Sequence, residues 1–310
     1  MSVKSLIATL LIATIPVHAG PAFAQQTVKP YTMSRSVQFD MTSKINGRSY
    51  RIFVHTPATP PPPGGYPVLY VTDGNGTFPV AAGQADINTL EGSAVMVVGI
   101  GYPTDDLAAP MQLRNKDLTP TPPSGVLIDR PNAKAADYGG GEAFYRFLTE
   151  ELRPAIAATN PVNPKNQALY GHSLGGLFTL HVLFNHPEAF RSYIASSPSI
   201  WWNDREVLKD EAAFSLAVTT GKAAPRVLIE VGGLEESLSK AIVADLGEAK
   251  ARTVMSNARM IGNVRDLADR LSKLGGGKGY VVRSQVFENE AHLSAVAASI
   301  SRALAFADQD

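Results

Sequence analysis

From Pro67 onward the chain repeats one pattern: a short run rich in Val, Ile, Leu and Tyr, a loop, then a stretch of helical periodicity. The extended runs are Pro67 to Thr72, Ser93 to Ile100, Asn166 to Tyr170, Ser192 to Ala195, Arg226 to Val231 and Tyr280 to Phe287. Helical patterns follow at Val80 to Leu90, Glu142 to Ala158, Leu174 to Asn185, Asp204 to Thr219, Met255 to Leu274 and Leu293 to Ala307. Such alternation predicts an α/β fold with a mostly parallel central sheet, because each parallel crossover lays a helix on one face or the other. Side chains that do chemistry are then expected at the carboxyl ends of the strands. Upstream, Ser34 to Met41 and Ser49 to His55 alternate apolar and polar residues and read as an antiparallel N-terminal hairpin. The proline-rich stretch Pro57 to Gly65 reads as a rigid surface loop, since the segment before it is too short to be a domain. Gly101 to Tyr138 is long, Pro-rich and aperiodic, the kind of loop that is usually functional.

The N-terminus has a different character. Lys4 precedes an apolar run from Ser5 to Val17, and Ala22-Phe23-Ala24 closes the segment before Gln25. This is the pattern of a secretory signal peptide with an Ala-x-Ala cleavage site. The run is too short to cross about 30 Å of hydrocarbon, and no other segment approaches the roughly 20 apolar residues that a span requires. The expectation is a signal peptide over 1–24 and one domain over 25–310, periplasmic or secreted, without stable membrane insertion. Lys plus Arg and Asp plus Glu number 28 each, so no bulk basic field draws nucleic acid. The absence of cysteine removes disulfides, thiol nucleophiles and thiolate metal sites together. Any nucleophile must be a hydroxyl, an amine or a carboxylate.

A hydroxyl stands out. Gly171-His-Ser173-Leu-Gly175 joins an extended run to a helical one, and the G-x-S-x-G motif is meaningful in that context. The sharp turn lifts Ser173 above the sheet at a helix N-terminus, where free N–H groups favour a developing oxyanion. Serine needs a general base, most often histidine. Of six histidines, His18 leaves with the signal peptide, His55 ends an early strand on the wrong side, and His172 is the variable residue of the turn. His181 and His186 lie on or just past the helix that runs away from Ser173, which leaves His292, in the loop after the last strand. The acid should lie between Ser173 and His292 at a strand end, where Gly232-Gly-Leu-Glu235-Glu236 offers two glutamates. Glu235 is favoured because it stays nearer the sheet edge, with Glu236 as runner-up and a Ser-His dyad as the remaining alternative.

One oxyanion donor is expected at the N–H of Leu174, and the second at Asn75 or Gly76 in the glycine-containing loop Tyr70 to Phe78. Arg114 could bind an acidic or polyphenolic group as a bidentate donor, or pair instead with Asp117. Trp201 and Trp202 follow another strand end and serve either as an aromatic wall for a planar ligand or as core.

Taken as an ordered set, Tyr70-Val-Thr-Asp-Gly-Asn, Arg114-x-x-Asp-Leu-Thr-Pro, Gly140-Gly-Glu-Ala-Phe, Gly171-His-Ser-Leu-Gly-Gly, Ser197-Pro-Ser-Ile-Trp-Trp and Phe287-Glu-x-Glu-x-His resemble the esterase branch of the α/β-hydrolases. Within that branch the chain is similar to bacterial siderophore esterases of the enterobactin and bacillibactin type. The resemblance spans roughly Val37 to Ala307. It implies an α/β-hydrolase fold without a separate cap domain, a serine hydrolase with no metal or organic cofactor, and a small-molecule ester substrate such as a catecholate trilactone, free or as its ferric complex. It maps the nucleophile onto Ser173, the base onto His292 and the acid onto Glu235. The alternative is a general esterase or an acyltransferase of the same fold with another substrate.

Overall fold

The computed structural model describes residues 30–106, 109–123, 134–238 and 240–309; the segment 1–24, expected to be a signal peptide, lies outside them. Among the described residues, eight strands form one sheet: β1 (Ser36–Thr42), β2 (Ser49–His55), β3 (Tyr66–Val71), β4 (Met96–Gly101), β5 (Val162–His172), β6 (Ser192–Ser196), β7 (Arg226–Gly232) and β8 (Val281–Phe287). Their spatial order is β1-β2-β4-β3-β5-β6-β7-β8. β1, β2 and β4 pair antiparallel, and every pairing from β4 to β8 is parallel. Every residue of β3, β4, β6 and β7 is buried, as expected of strands covered on both faces, whereas β1 and β8 at the edges keep exposed residues.

Helices α1 (Gly74–Asn88) and α11 (Ala295–Ala307) pack on each other and on one face of the sheet. Against the other face lies α5 (Leu174–Asn185), in contact with α2 (Ala109–Leu118), α3 (Gly141–Arg146) and α7 (Glu211–Thr219). Phe144, Phe178, Tyr70, Tyr193 and Val227 belong to the core cluster on that side. Among the described residues no cap domain covers the carboxyl edge of the sheet.

Four helical expectations need correction. The aperiodic stretch Gly101 to Tyr138 contains α2, and α2 escapes periodicity analysis because it turns Arg114, Asn115 and Asp117 inward beside Leu118. α1 begins at Gly74, six residues before Val80, and tolerates Pro79, whose ring nitrogen has no proton to give the carbonyl of Asn75. The helix expected over Asp204 to Thr219 is interrupted: Asn203, Asp204 and Arg205 all have positive φ (45°, 54° and 62°), and regular helix begins only at Glu211. Met255 to Leu274 is likewise two helices, α9 (Glu248–Ala258) and α10 (Met260–Ser272), parted by Arg259 at φ 44°.

Candidate active site

The turn between β5 and α5 forces Ser173 into φ 62°, ψ −118°, a conformation that costs a non-glycine residue about 1–3 kcal/mol. Local contacts hold it there. The Ser173 N–H donates to the Ser196 carbonyl at 3.0 Å, and the Ser173 carbonyl accepts from Leu177 and Ser199 N–H at 3.0 and 3.1 Å. The flanking glycines are sterically required: a Cβ at Gly171 would stand 2.0 Å from the Gly175 carbonyl oxygen, and one at Gly175 would stand 2.4 Å from Thr72 Oγ1. The turn therefore holds the Ser173 backbone in a strained conformation that carries the hydroxyl at the start of a helix.

His292, in the loop between β8 and α11, places Nδ1 at 2.7 Å from Glu235 Oε2. An ionised carboxylate only accepts, so this contact fixes the proton on Nδ1 and leaves Nε2 with its lone pair. Glu235 is almost fully buried, and its other oxygen accepts from the Gly232 N–H at 2.8 Å and from Ser197 Oγ. Ser197 was not among the expected residues; the available signal was its place in Ser196-Ser-Pro at a strand end, where it takes φ 42°. Glu236 faces elsewhere: its Oε1 accepts from Ile261 and Gly262 N–H at 2.8 and 3.0 Å, at the start of α10.

Ser173 and His292 line the same cavity, of about 700 Å³, together with Leu174, Asn75, Gly76, Arg114, Trp201 and Trp202. Among the described residues no hydrogen bond joins Ser173 Oγ to His292, a looseness common before substrate binds. The two expected oxyanion loops also meet at this cavity. The Asn75 side chain is fixed by three bonds, Nδ2 to the Tyr102 and Thr104 carbonyls and Oδ1 from the Tyr102 N–H, at 3.0, 3.2 and 2.7 Å. The Gly76 N–H is already bonded to the Asp73 carbonyl at 2.9 Å, which takes it out of consideration. The N–H groups of Leu174 and Asn75 have no acceptor among the described residues.

Arg114 departs from expectation. Its Nε and Nη2 bond Asp73 Oδ1 and Oδ2 at 2.6 and 2.8 Å, and Nη2 also reaches the His172 carbonyl at 3.2 Å. The fork expected to receive substrate is filled by Asp73, and Asp117 is no partner of Arg114. Asp117 instead meets the Tyr50 and Tyr102 hydroxyls and Arg48, at 3.1, 2.9 and 3.0 Å, and burial pushes its pKa up to about 6. Trp202 is buried and packs on Tyr138 at 5.4 Å between ring centroids, so it serves as core and as wall; Trp201 is partly buried beside it.

The remaining histidines lie off this line. His172 is buried beside His292, with 4.6 Å between the ring centroids and its Nδ1 3.0 Å from Ser196 Oγ. Burial drives its pKa well below the ordinary imidazole value, aided by the neighbouring His292 and Arg114 charges, so it stays neutral. His55 bonds Ser36 and approaches Asp86, while His181 and His186 both face Glu142.

This fold, with a serine at a strained strand-to-helix turn, is that of the α/β-hydrolases. Residues 43–267 match the family model described as "Putative esterase", and the chain belongs to that esterase family. It is 36% identical over 274 residues to the ferri-bacillibactin esterase BesA of Bacillus subtilis, covering 86% of this chain and 87% of the relative. It is 35% identical over 259 residues to the siderophore triacetylfusarinine C esterase of Aspergillus fumigatus, covering 80% and 83%. Among solved structures it is similar to the BES protein from Bacillus cereus, with TM-score 0.76, 31% identity and 91% and 99% coverage. The siderophore hydrolase EstA from Aspergillus nidulans superposes with TM-score 0.77 at 28% identity, covering 92% and 97%.

Proposed function

We propose that the protein is an exported serine ester hydrolase that works through an acyl-enzyme on siderophore-type esters. The observation that carries this reading is the 2.7 Å contact between His292 Nδ1 and Glu235, made at the rim of the cavity that Ser173 lines. In the proposed reaction His292 Nε2 takes the proton of Ser173 Oγ as that oxygen attacks the ester carbonyl carbon. The resulting oxyanion is held by the N–H groups of Leu174 and Asn75, and Glu235 stabilises the imidazolium. His292 then returns the proton to the departing alcohol, the acyl group stays on Ser173, and water activated by the same imidazole releases the acid. Similarity to proteins named as siderophore esterases and hydrolases supports the substrate class. Export is supported by the pattern of residues 1–24, ending at Ala24.

The test is to treat the purified protein with a fluorophosphonate, map the adduct, and assay a panel running from nitrophenyl acyl esters to catecholate and hydroxamate siderophore esters. Labelling on Ser173, with turnover that falls about 10⁴- to 10⁶-fold in Ser173→Ala, is the expected result. Near-normal activity in that variant would end the reading.

A further inference from the structure

The wall of the cavity has almost no charge to offer a ligand. Of the described residues that line it, Arg114 is the one permanent cation, and its guanidinium is buried and bonded through two nitrogens to Asp73. Lys116 sits on the same helix but does not line the cavity, and its Nζ donates to the Tyr138 carbonyl at 2.8 Å. The imidazole of His172 is buried and stays neutral, and any positive charge on His292 faces Glu235 at 2.7 Å. The rest of the wall is largely apolar, with Val80, Pro110, Met111, Trp201, Val296 and Ala297 spread around it. Among the described residues, every charge at the site therefore has its counter-charge within the protein.

Siderophore esters fall into two electrostatic classes. A ferric tris-catecholate lactone is a trianion, whereas a ferric tris-hydroxamate ester is neutral, as is a metal-free catecholate lactone whose phenols keep their protons. Moving a trianion into this cavity strips its hydration and returns no free cation from the described residues, and an unpaired charge in an apolar site is strongly disfavoured. A neutral ester loses little hydration and gains apolar contact with the tryptophan wall. We infer that the cavity selects uncharged siderophore esters, hydroxamate or metal-free, over ferric catecholate trianions. This rests on the ester-hydrolase reading above and narrows its substrate class.

The test measures kcat/KM of the purified protein for a ferric tris-hydroxamate cyclic ester, a metal-free catecholate trilactone, the ferric complex of that trilactone and a short-chain nitrophenyl ester, each at low and high salt. Both uncharged siderophore esters are expected to exceed the ferric trianion by about 100-fold or more, with salt changing none of the rates much, since the balanced charges at the site leave no net field to screen. Met111→Lys adds an unpaired cation at a half-exposed position of the wall and is expected to narrow the gap about tenfold or more. A ferric trianion cleaved as well as the uncharged esters, with a rate that falls as salt rises, would overturn the inference. So would a gap that Met111→Lys leaves unchanged, because charge would then not be its cause. Turnover of the nitrophenyl ester alone would overturn both the siderophore reading and this inference while leaving the hydrolase. No turnover at all, with no phosphonate adduct on Ser173, would remove the hydrolase reading itself.

Discussion

Glu235 carries three hydrogen bonds, and each has a separate job. Oε2 orients His292, while the Gly232 N–H and Ser197 Oγ hold the carboxylate from behind. In Glu235→Gln the amide keeps the shape but loses the charge that, in the proposed reaction, stabilises the imidazolium and fixes its tautomer, so kcat is expected to fall about 10³- to 10⁴-fold. Ser197→Ala removes one donor and leaves the Gly232 N–H, so a fall of about tenfold in kcat with KM little changed is expected, at the net worth of one charge-assisted bond. Steady-state kinetics on the ester that proves best separates the two variants, and an equal loss in both would refute this ranking. Glu236→Gln should leave turnover within about twofold and instead lower stability by about 1 kcal/mol, because Glu236 accepts the first free N–H groups of α10. That Ser173 and His292 meet at one cavity was legible because their surroundings are local: a glycine-flanked turn, and a loop between the last strand and the last helix. Ser197 was not legible, because its partner lies 38 residues further on and the contact exists only once β6 and β7 pair.

Helix α2 shows the same limit on a larger element. Its inward face carries Arg114, Asn115 and Asp117, so hydropathy marks it as loop, and what holds it is a pair of ion contacts to strand-linked residues. Arg114 bonds Asp73, the residue that starts α1 in a left-handed conformation at φ 57°, and so ties α2 to the turn that presents Asn75. Arg114→Met would leave the Asp73 carboxylate unpaired in a largely buried position, at a cost of about 3 kcal/mol. Asp73→Asn suits the left-handed conformation and carries no charge, so the double variant is expected to recover about 2 kcal/mol of that loss. Urea unfolding of the wild type, both single variants and the double variant measures this coupling, and additive losses would show that the pair contributes nothing beyond its separate members. The helices read correctly from sequence, α5 and α11 above all, are those whose apolar residues face the sheet. Of the misread ones, α2 turns polar groups inward, α1 starts within a glycine-rich stretch and carries Pro79, and the other two break at residues with positive φ such as Arg259.

The alternation of strands and helices led to the parallel sheet, but not to the strand order, which depends on crossovers that no local pattern encodes. One product of that order is a buried carboxylate away from the Ser173 cavity. Glu230 lies in β7, opposite Ser196 on β6 and Gln285 on β8, with its side chain toward α11, where Ser299 Oγ donates to Oε2. Its Oε1 has no hydrogen-bond partner among the described residues. Burial raises its pKa from 4.5 to about 8, only partly offset by the Ser299 bond and the Arg302 charge. The folded chain therefore holds a proton that the unfolded chain has already released between pH 4.5 and 8. The contribution of Glu230 to stability is greatest below the unfolded value and falls as pH climbs toward 8, above which it levels off. At about 1.4 kcal/mol per pKa unit, the loss between pH 5 and pH 9 from this group approaches about 4 kcal/mol. Glu230→Gln keeps an uncharged polar head at every pH, so its stability advantage over the wild type should grow across that interval by about the same amount. Denaturant unfolding of both proteins at pH 5, 7 and 9 checks this, and because other titrating groups cancel in the difference, a difference that stays constant with pH would show that Glu230 ionises normally inside the fold.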